Sequence, residues 1–493
     1  MLIPVYQIEA LYRKPVWDPS DPFLVAFTDA NDPSNPLNWP NSRKWTVTDV
    51  LSATGFNRIM VSTIMAPALP LIAQELHMSP TESVMSMSIY LLATAFGPLF
   101  IGPLSEMYGR APVLHASNVW FLVWNIACGF ATTKELLIGA RFLAGFGASS
   151  IYALAGGVLG DVWRPEERGR SLSLYLLIPL LAVAVGPIIG GFMAYRTTWR
   201  WIFWATSIFQ AVMVAMSFIC FRETYAPVVL KRRAERLRKT TGDERYQTVF
   251  ERLEMDKSLA SRLGRALTRP LRLLAFHPII QATSVMSAFN YGLLYILLSS
   301  LAEIWSDQYS QSVEMSGLHY IAVAAGEIIG SLVGGKLLDM LYPIMRARPD
   351  DEDDDLPAPE LRVPLMLPGL LLAPVGFLVY GWCAAYHSHW AAVDAGVLLA
   401  SLGMQLSGIP RQAYIMDAYP GGHHTSSALA ASQFLQSLTA FLFPLFVPAM
   451  YKGLGYGWGN SLLGFLGLFV GCPMVAALWR YGARLRAKAT ESY

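Results

Sequence analysis

The chain has 493 residues, of which 54% are hydrophobic and only 15% charged, against roughly 25% charged in a soluble globular protein. Of its 72 charges, 45 fall in residues 1–45, 222–277, 342–362 and 480–493, leaving 27 for the other 357 residues. A soluble enzyme, a disordered chain and a nucleic-acid binder each need a polar surface that these long stretches lack, so lipid is the solvent of most of the chain.

In chain order, residues 1–45 read as a polar tail. Pro15, Asp18, Pro19, Asp21 and Pro22 stand where a cleavable signal would carry basic and then apolar residues, so insertion is expected to start from the first membrane helix. A helix needs roughly 20 mostly apolar residues to cross about 30 Å of hydrocarbon. Twelve stretches meet this, near 46–70, 84–105, 112–131, 136–160, 171–195, 199–221, 278–302, 316–341, 363–386, 390–415, 425–450 and 457–479. They are called spans one to twelve below. The fold class is therefore all-α, a polytopic membrane protein. Its expected divisions are a tail (1–45), a six-helix bundle (46–221), a basic linker (222–277), a second six-helix bundle (278–480, with an acidic loop at 342–362) and a C-terminal tail (481–493).

Cytoplasmic loops retain Lys and Arg. Arg43/Lys44, Arg110, Arg164/Arg168/Arg170, the linker and Arg480/Arg484/Arg486/Lys488 alternate so as to place both termini in the cytoplasm. The linker holds 14 Lys/Arg against 7 Asp/Glu. It suits either an anionic lipid surface or plain solvation. The acidic run Asp350 to Asp355 is expected to be a disordered loop. Cys128, Cys220, Cys383 and Cys472 all lie in apolar stretches and read as small hydrophobes.

Several short runs carry more. After span two comes Gly102-Pro-Leu-Ser-Glu106-Met-Tyr-Gly109-Arg110, with Glu106 and Arg110 one turn apart at the cytoplasmic lip. Gly334-Gly-Lys336-Leu-Leu-Asp339 occupies the matching place in the second half, as in a transporter built from two repeats. Span four holds Arg141, with Gly145, Ala148 and Tyr152 on its face. Span five holds Gly186-Pro187-Ile-Ile-Gly190-Gly191, a bending and close-packing sequence.

Taken together and in order, these runs resemble the major facilitator superfamily: its signature loop at Gly102–Pro112, its helix-four motif at Arg141–Ser149 and its antiporter-associated helix-five motif at Gly186–Gly191. The runs Asp32–Trp39, Arg222–Leu230, Asn290–Tyr295 and Tyr451–Ser461 make the chain similar to the fungal twelve-helix drug:proton antiporters, over about residues 33–486. It departs from the pattern at Ala111, where a basic residue is usual. At Gly421-Gly-His-His424 the histidines read as polar surface, since no third metal ligand lies near.

The resemblance implies the major facilitator fold, two pseudo-symmetric bundles that alternate access to a central cavity. Candidate cavity residues are Asn57, Tyr152, Gln281, Phe289, Asn290, Tyr291, Tyr295, Gln405, Gln433 and Gln436, rings and amides suited to a flat amphipathic molecule or, equally, to bonding between helices. Glu327, Arg141 and Arg58 are the candidates for proton coupling. Glu327 is the mid-membrane carboxylate, and Arg58 is expected to neutralise it or to meet an anionic substrate. Gly102, Glu106, Gly109, Arg110, Gly186, Pro187, Gly190, Gly191, Lys336 and Asp339 are the gating candidates.

The expected function is proton-coupled export of a drug, toxin or secondary metabolite across the plasma membrane. A nutrient or polyamine importer and a transporter-shaped receptor or sensor are the alternatives. The partners are a small-molecule substrate, protons and lipid, with no nucleic acid, and the chain is expected to act as a monomer. No cofactor or metal is expected. No Gly-rich loop ending in Gly-Lys-Ser/Thr occurs, and no nucleophile–base pair is evident, so neither an ATP-driven pump nor an enzyme is supported.

Overall fold

The computed structural model describes residues 21–27, 32–254, 259–346, 359–418 and 425–491. The acidic run at 350–355, the His423/His424 pair and the first 20 residues lie outside them, as does the side chain of Asp339. Nine helical segments among the described residues are long and apolar enough to cross a membrane. One of them, Ala428–Leu485, contains spans eleven and twelve, which part at Gly455, whose φ of 72° breaks the helix. Arg110–Gly129, with 20 residues, and Pro165–Arg196, with 32, are also of spanning length and form spans three and five.

Local chemistry fixes where the rods begin and end. Span two, Pro80–Tyr108, starts on a capping box in which Ser79 and Glu82 satisfy each other's backbone N–H groups. It stops at Gly109, whose φ of 103° strains any other residue and whose missing Cβ lets the Glu223 carboxylate lie against the backbone. Span four runs as Lys134–Ala148 and Ser150–Val162, capped by Thr133. Span six is Arg200–Cys220 and span seven Pro278–Glu303. Span eight combines Val313–Leu318 with Tyr320–Arg346, span nine is Leu367–Ala385 and span ten Trp390–Ala418.

The two halves repeat a turn that their residues conceal. Before span two, His77 (φ 50°) precedes the capping Ser79 by two positions; before span eight, Ser310 (φ 51°) precedes the capping Ser312 by two.

The linker is largely helical, with Ala226–Thr241, Val249–Glu254 and Leu259–Phe276. A two-residue parallel ladder ties it to the tail: β1, Leu24–Val25, pairs with β2, Gln247–Thr248. Arg233 reinforces this with an ion pair to Asp32 at 2.8 Å. The Asp32–Trp39 run folds as a knot of turns, in which Asn35 caps Pro36–Asn38 and Lys44 donates to the Leu37 carbonyl at 2.8 Å. The described part of the N-terminal tail, the linker and the end of span twelve share one face, here called the tail side; the other is the far side.

The Tyr451–Ser461 run makes the far-side hairpin between spans eleven and twelve. There the Tyr451 hydroxyl donates to Asn460 at 3.1 Å, and Trp382 of span nine donates to Ser461 at 3.1 Å.

Candidate functional site

Among the described residues the first half holds two fully buried arginines, and each donates to three acceptors, although Arg58 Nε is left without one. Arg58 on span one donates to the Gly147 carbonyl at 2.7 Å, to Ser150 Oγ at 3.3 Å and to Asn118 Oδ1, with its guanidinium over the Phe121 ring. The expected ion pair with Glu327 is not formed, because span one turns this side chain into its own bundle, toward spans three and four. Arg141 donates to the carbonyls of Val61, Ser86 and Met87 at 3.0 to 3.4 Å and sits over the Tyr90 ring. It fastens span four to spans one and two. Asn57 likewise turns away from the centre, donating to Gln210 at 3.0 Å and to the Thr206 carbonyl on span six.

Tyr152 is different. It is 37% exposed, yet Tyr90, Tyr175, Tyr291, Tyr295 and Arg58 all lie within electrostatic reach of it, so the opening it borders is internal. Tyr295 and Tyr291 pack ring to ring at 5.4 Å, and the Tyr295 hydroxyl meets Ser62 Oγ of the first half at 3.3 Å. Glu327 on span eight is within electrostatic reach of both tyrosines, and only 7% of its surface is exposed. No hydrogen bond or ion pair to it occurs among the described residues. A carboxyl group so placed has no partner among the described residues to compete with a proton or a ligand.

The amides divide between the cavity wall and helix packing. Asn290 donates to Ser407 Oγ at 3.0 Å, joining spans seven and ten, and Phe289 stacks edge-on to Phe443. Gln433 and Gln436 bond within span eleven to Ser437 and Ser432. Gln281 stands at the tail-side end of span seven and donates to the Ala275 carbonyl of the linker. Gln405 on span ten packs beneath Gly330, one turn from Glu327.

Sequence reading missed Arg411, on span ten inside Ser407-Gly-Ile-Pro-Arg411. Its signal was available: an arginine seven residues inside the end of an apolar helix. It is 7% exposed, and no hydrogen bond or ion pair to it occurs among the described residues.

The lip motifs act chiefly inside the first half. Arg110 donates to Ser105 Oγ at 2.6 Å and to Asp161 at 3.4 Å, and its backbone N–H donates to Glu223 at 2.8 Å. Gly157 on span four leaves room for the guanidinium. Glu106 is exposed, as is Lys336. The Gly334–Asp339 run lies inside a helix that continues to Arg346, whereas the first-half motif coincides with a helix end. Gly102 faces open space.

In the helix-five motif, a Cβ on Gly190 would overlap the Ile64 carbonyl oxygen, and Gly186 abuts Thr63 and Met60, so span five lies directly on span one. Gly191 instead faces the Val313 carbonyl, and Pro187 offers its own carbonyl to Gly317, both across the gap to span eight. Arg196–Glu314 at 3.2 Å continues this contact between the halves. Near the midplane Thr94 donates to Ser437 at 3.2 Å and Phe96 meets Phe434. The far side is thus closed where spans five and eight meet.

Comparison with known proteins agrees with this geometry. A family model described as Major Facilitator Superfamily matches residues 51–444. The chain is 53% identical to the probable efflux pump mfs2 of Aspergillus flavus, over 87% of this chain and all of that one. It is 39% identical to the efflux pump vrtL of Penicillium aethiopicum, over 97% and 93%. Among solved structures, the xylose transporter XylE from E. coli superposes with a TM-score of 0.63 at 14% identity, over 89% of this chain and 98% of that one, a likeness of fold alone.

Proposed function

Because the chain belongs to the major facilitator superfamily, we propose that it is a proton-coupled antiporter exporting small amphipathic organic molecules by alternating access. The observation that carries the reading is Glu327, a carboxyl buried within electrostatic reach of Tyr291 and Tyr295 with no hydrogen bond or ion pair among the described residues. Intramembrane carboxylates mark substrate or proton paths, and this one changes protonation without breaking any structural bond. The names of its relatives favour efflux. Arg58 and Arg141 hold the frame against which exposure of the carboxyl alternates. The clasp of spans five and eight opens in the other state, while the exposed Glu106 and Lys336 line the mouth that then closes.

The tail side faces the cytoplasm, following the basic residues of the linker and lips, and the membrane is the plasma membrane. The chain works as a monomer, and turnover is transport without covalent chemistry.

The test uses the purified full chain in proteoliposomes with an imposed pH gradient and a set of flat fluorescent compounds, anionic, neutral and cationic. Wild type accumulates at least one class uphill, and a protonophore abolishes this. Glu327→Gln loses the uphill component while still exchanging labelled for unlabelled compound. Gradient-driven accumulation persisting in Glu327→Gln removes the proton assignment; no class moved by the gradient removes the antiport reading.

A further inference from the structure

The membrane-buried charges of the two halves are treated oppositely. Arg58 and Arg141 each have three acceptors among the described residues, so their burial is offset by bonds that hold the first bundle together. Arg411, 93% buried by its 7% exposure, has neither a hydrogen bond nor an ion pair there. A buried guanidinium without a counter-charge is expensive, and no bond among the described residues gives it a structural duty.

Its surroundings are those of a site left open. Arg411 Nη2 and Gln405 Oε1 lie 3.7 and 3.8 Å from the point that a Cβ on Gly408 would occupy, so an absent side chain leaves space between a donor fork and an amide. The guanidinium thus reaches back along span ten toward Gln405, away from the tail-side end. Pro410 lacks an N–H, which deprives the Leu406 carbonyl of its usual helical donor and loosens the helix here. Ser407 is held by Asn290 of span seven. Gln405 packs by its Cβ against Gly330 of span eight, one turn from Glu327.

We infer that Arg411, with Gln405 beside it across Gly408, binds an acidic group of the transported molecule, a carboxylate or an ionised phenol or enol, so that the cargo is an organic anion. This rests on the transporter reading and names its substrate class. A planar carboxylate accepts two parallel N–H bonds from a guanidinium, and such bidentate pairs are among the strongest polar contacts. An inside-negative membrane potential also favours outward movement of an anion, independently of Glu327.

The experiment measures binding of 1-pyrenebutyrate and of anthracene-9-carboxylate, each beside its methyl ester, to the full chain in lipid nanodiscs. The esters keep the ring and lose the charge. Wild type binds each acid at least ten-fold more tightly than its ester. Arg411→Gln removes the preference by weakening acid binding and leaves ester binding within two-fold, while Arg411→Lys keeps part of it. Equal binding of acid and ester by wild type, binding of neither, or an unchanged preference in Arg411→Gln overturns the inference. The first and third of these outcomes leave gradient-driven transport of neutral or cationic compounds intact, so they do not touch the antiport reading.

Discussion

At the scale of single residues, the contrast between Arg58 and Arg411 gives a stability prediction. Lysine keeps the charge but loses the planar fork. Arg58→Lys cannot reach Gly147, Ser150 and Asn118 together, and leaving buried acceptors unpaired costs about 2 kcal/mol. Arg58→Lys therefore melts clearly below wild type in detergent, whereas Arg411→Lys, which forfeits no bond among the described residues, melts with it. Equal melting of all three proteins would show that Arg58 is not structural. That Arg58 and Arg141 are buried was legible in the sequence, because an arginine inside an apolar span has few places to go. Their partners were not. Asn118 and Gly147 lie 60 and 89 positions from Arg58, and only the rotation of packed helices brings them together. Glu223 was visible only as part of the run from Arg222 to Leu230, yet its carboxylate receives the backbone N–H groups of Arg110 and Ala111 at the start of span three.

At the scale of elements, the helix-five motif and the signature loop use glycine for different ends. Gly190→Val places side-chain atoms where the Ile64 carbonyl stands and forces spans one and five apart, which sharply lowers the yield of monodisperse protein in size-exclusion chromatography. Gly102→Ala, facing open space, leaves that yield at the wild-type level. Equal yields from both variants would remove the close-packing account of span five. The positions of the spans were readable from hydropathy, since lipid demands long apolar helices. The equivalence of the second motif was read less well. Gly334–Asp339 lies within a continuous helix instead of at a helix end, and a helix end depends on a cap that its glycines do not provide. The repeated turn at His77/Ser79 and Ser310/Ser312, which recurs at His387 before span ten, went unseen because it is written in backbone angles, with different residues around it in each copy.

At the scale of the whole molecule, the closed far side is the feature to lock. A reducible cross-linker joining cysteines at Arg196→Cys and Glu314→Cys, whose parent side chains meet at 3.2 Å, holds spans five and eight together and stops substrate exchange until reductant is added. Undiminished exchange in the cross-linked protein would mean that this contact does not open during transport. On the opposite face, β1 stitched to β2 and Asp32 bonded to Arg233 bind the first part of the linker to the tail. The leash between the bundles is then shorter than the segment 222–277, because the linker is tied down at least as far as Glu251, which pairs with Arg238 at 3.0 Å. A short leash raises the effective concentration of one bundle's lip at the other's and caps how widely the mouth gapes. Unpicking that stitch would lengthen the stroke of the machine without touching any residue that meets its cargo.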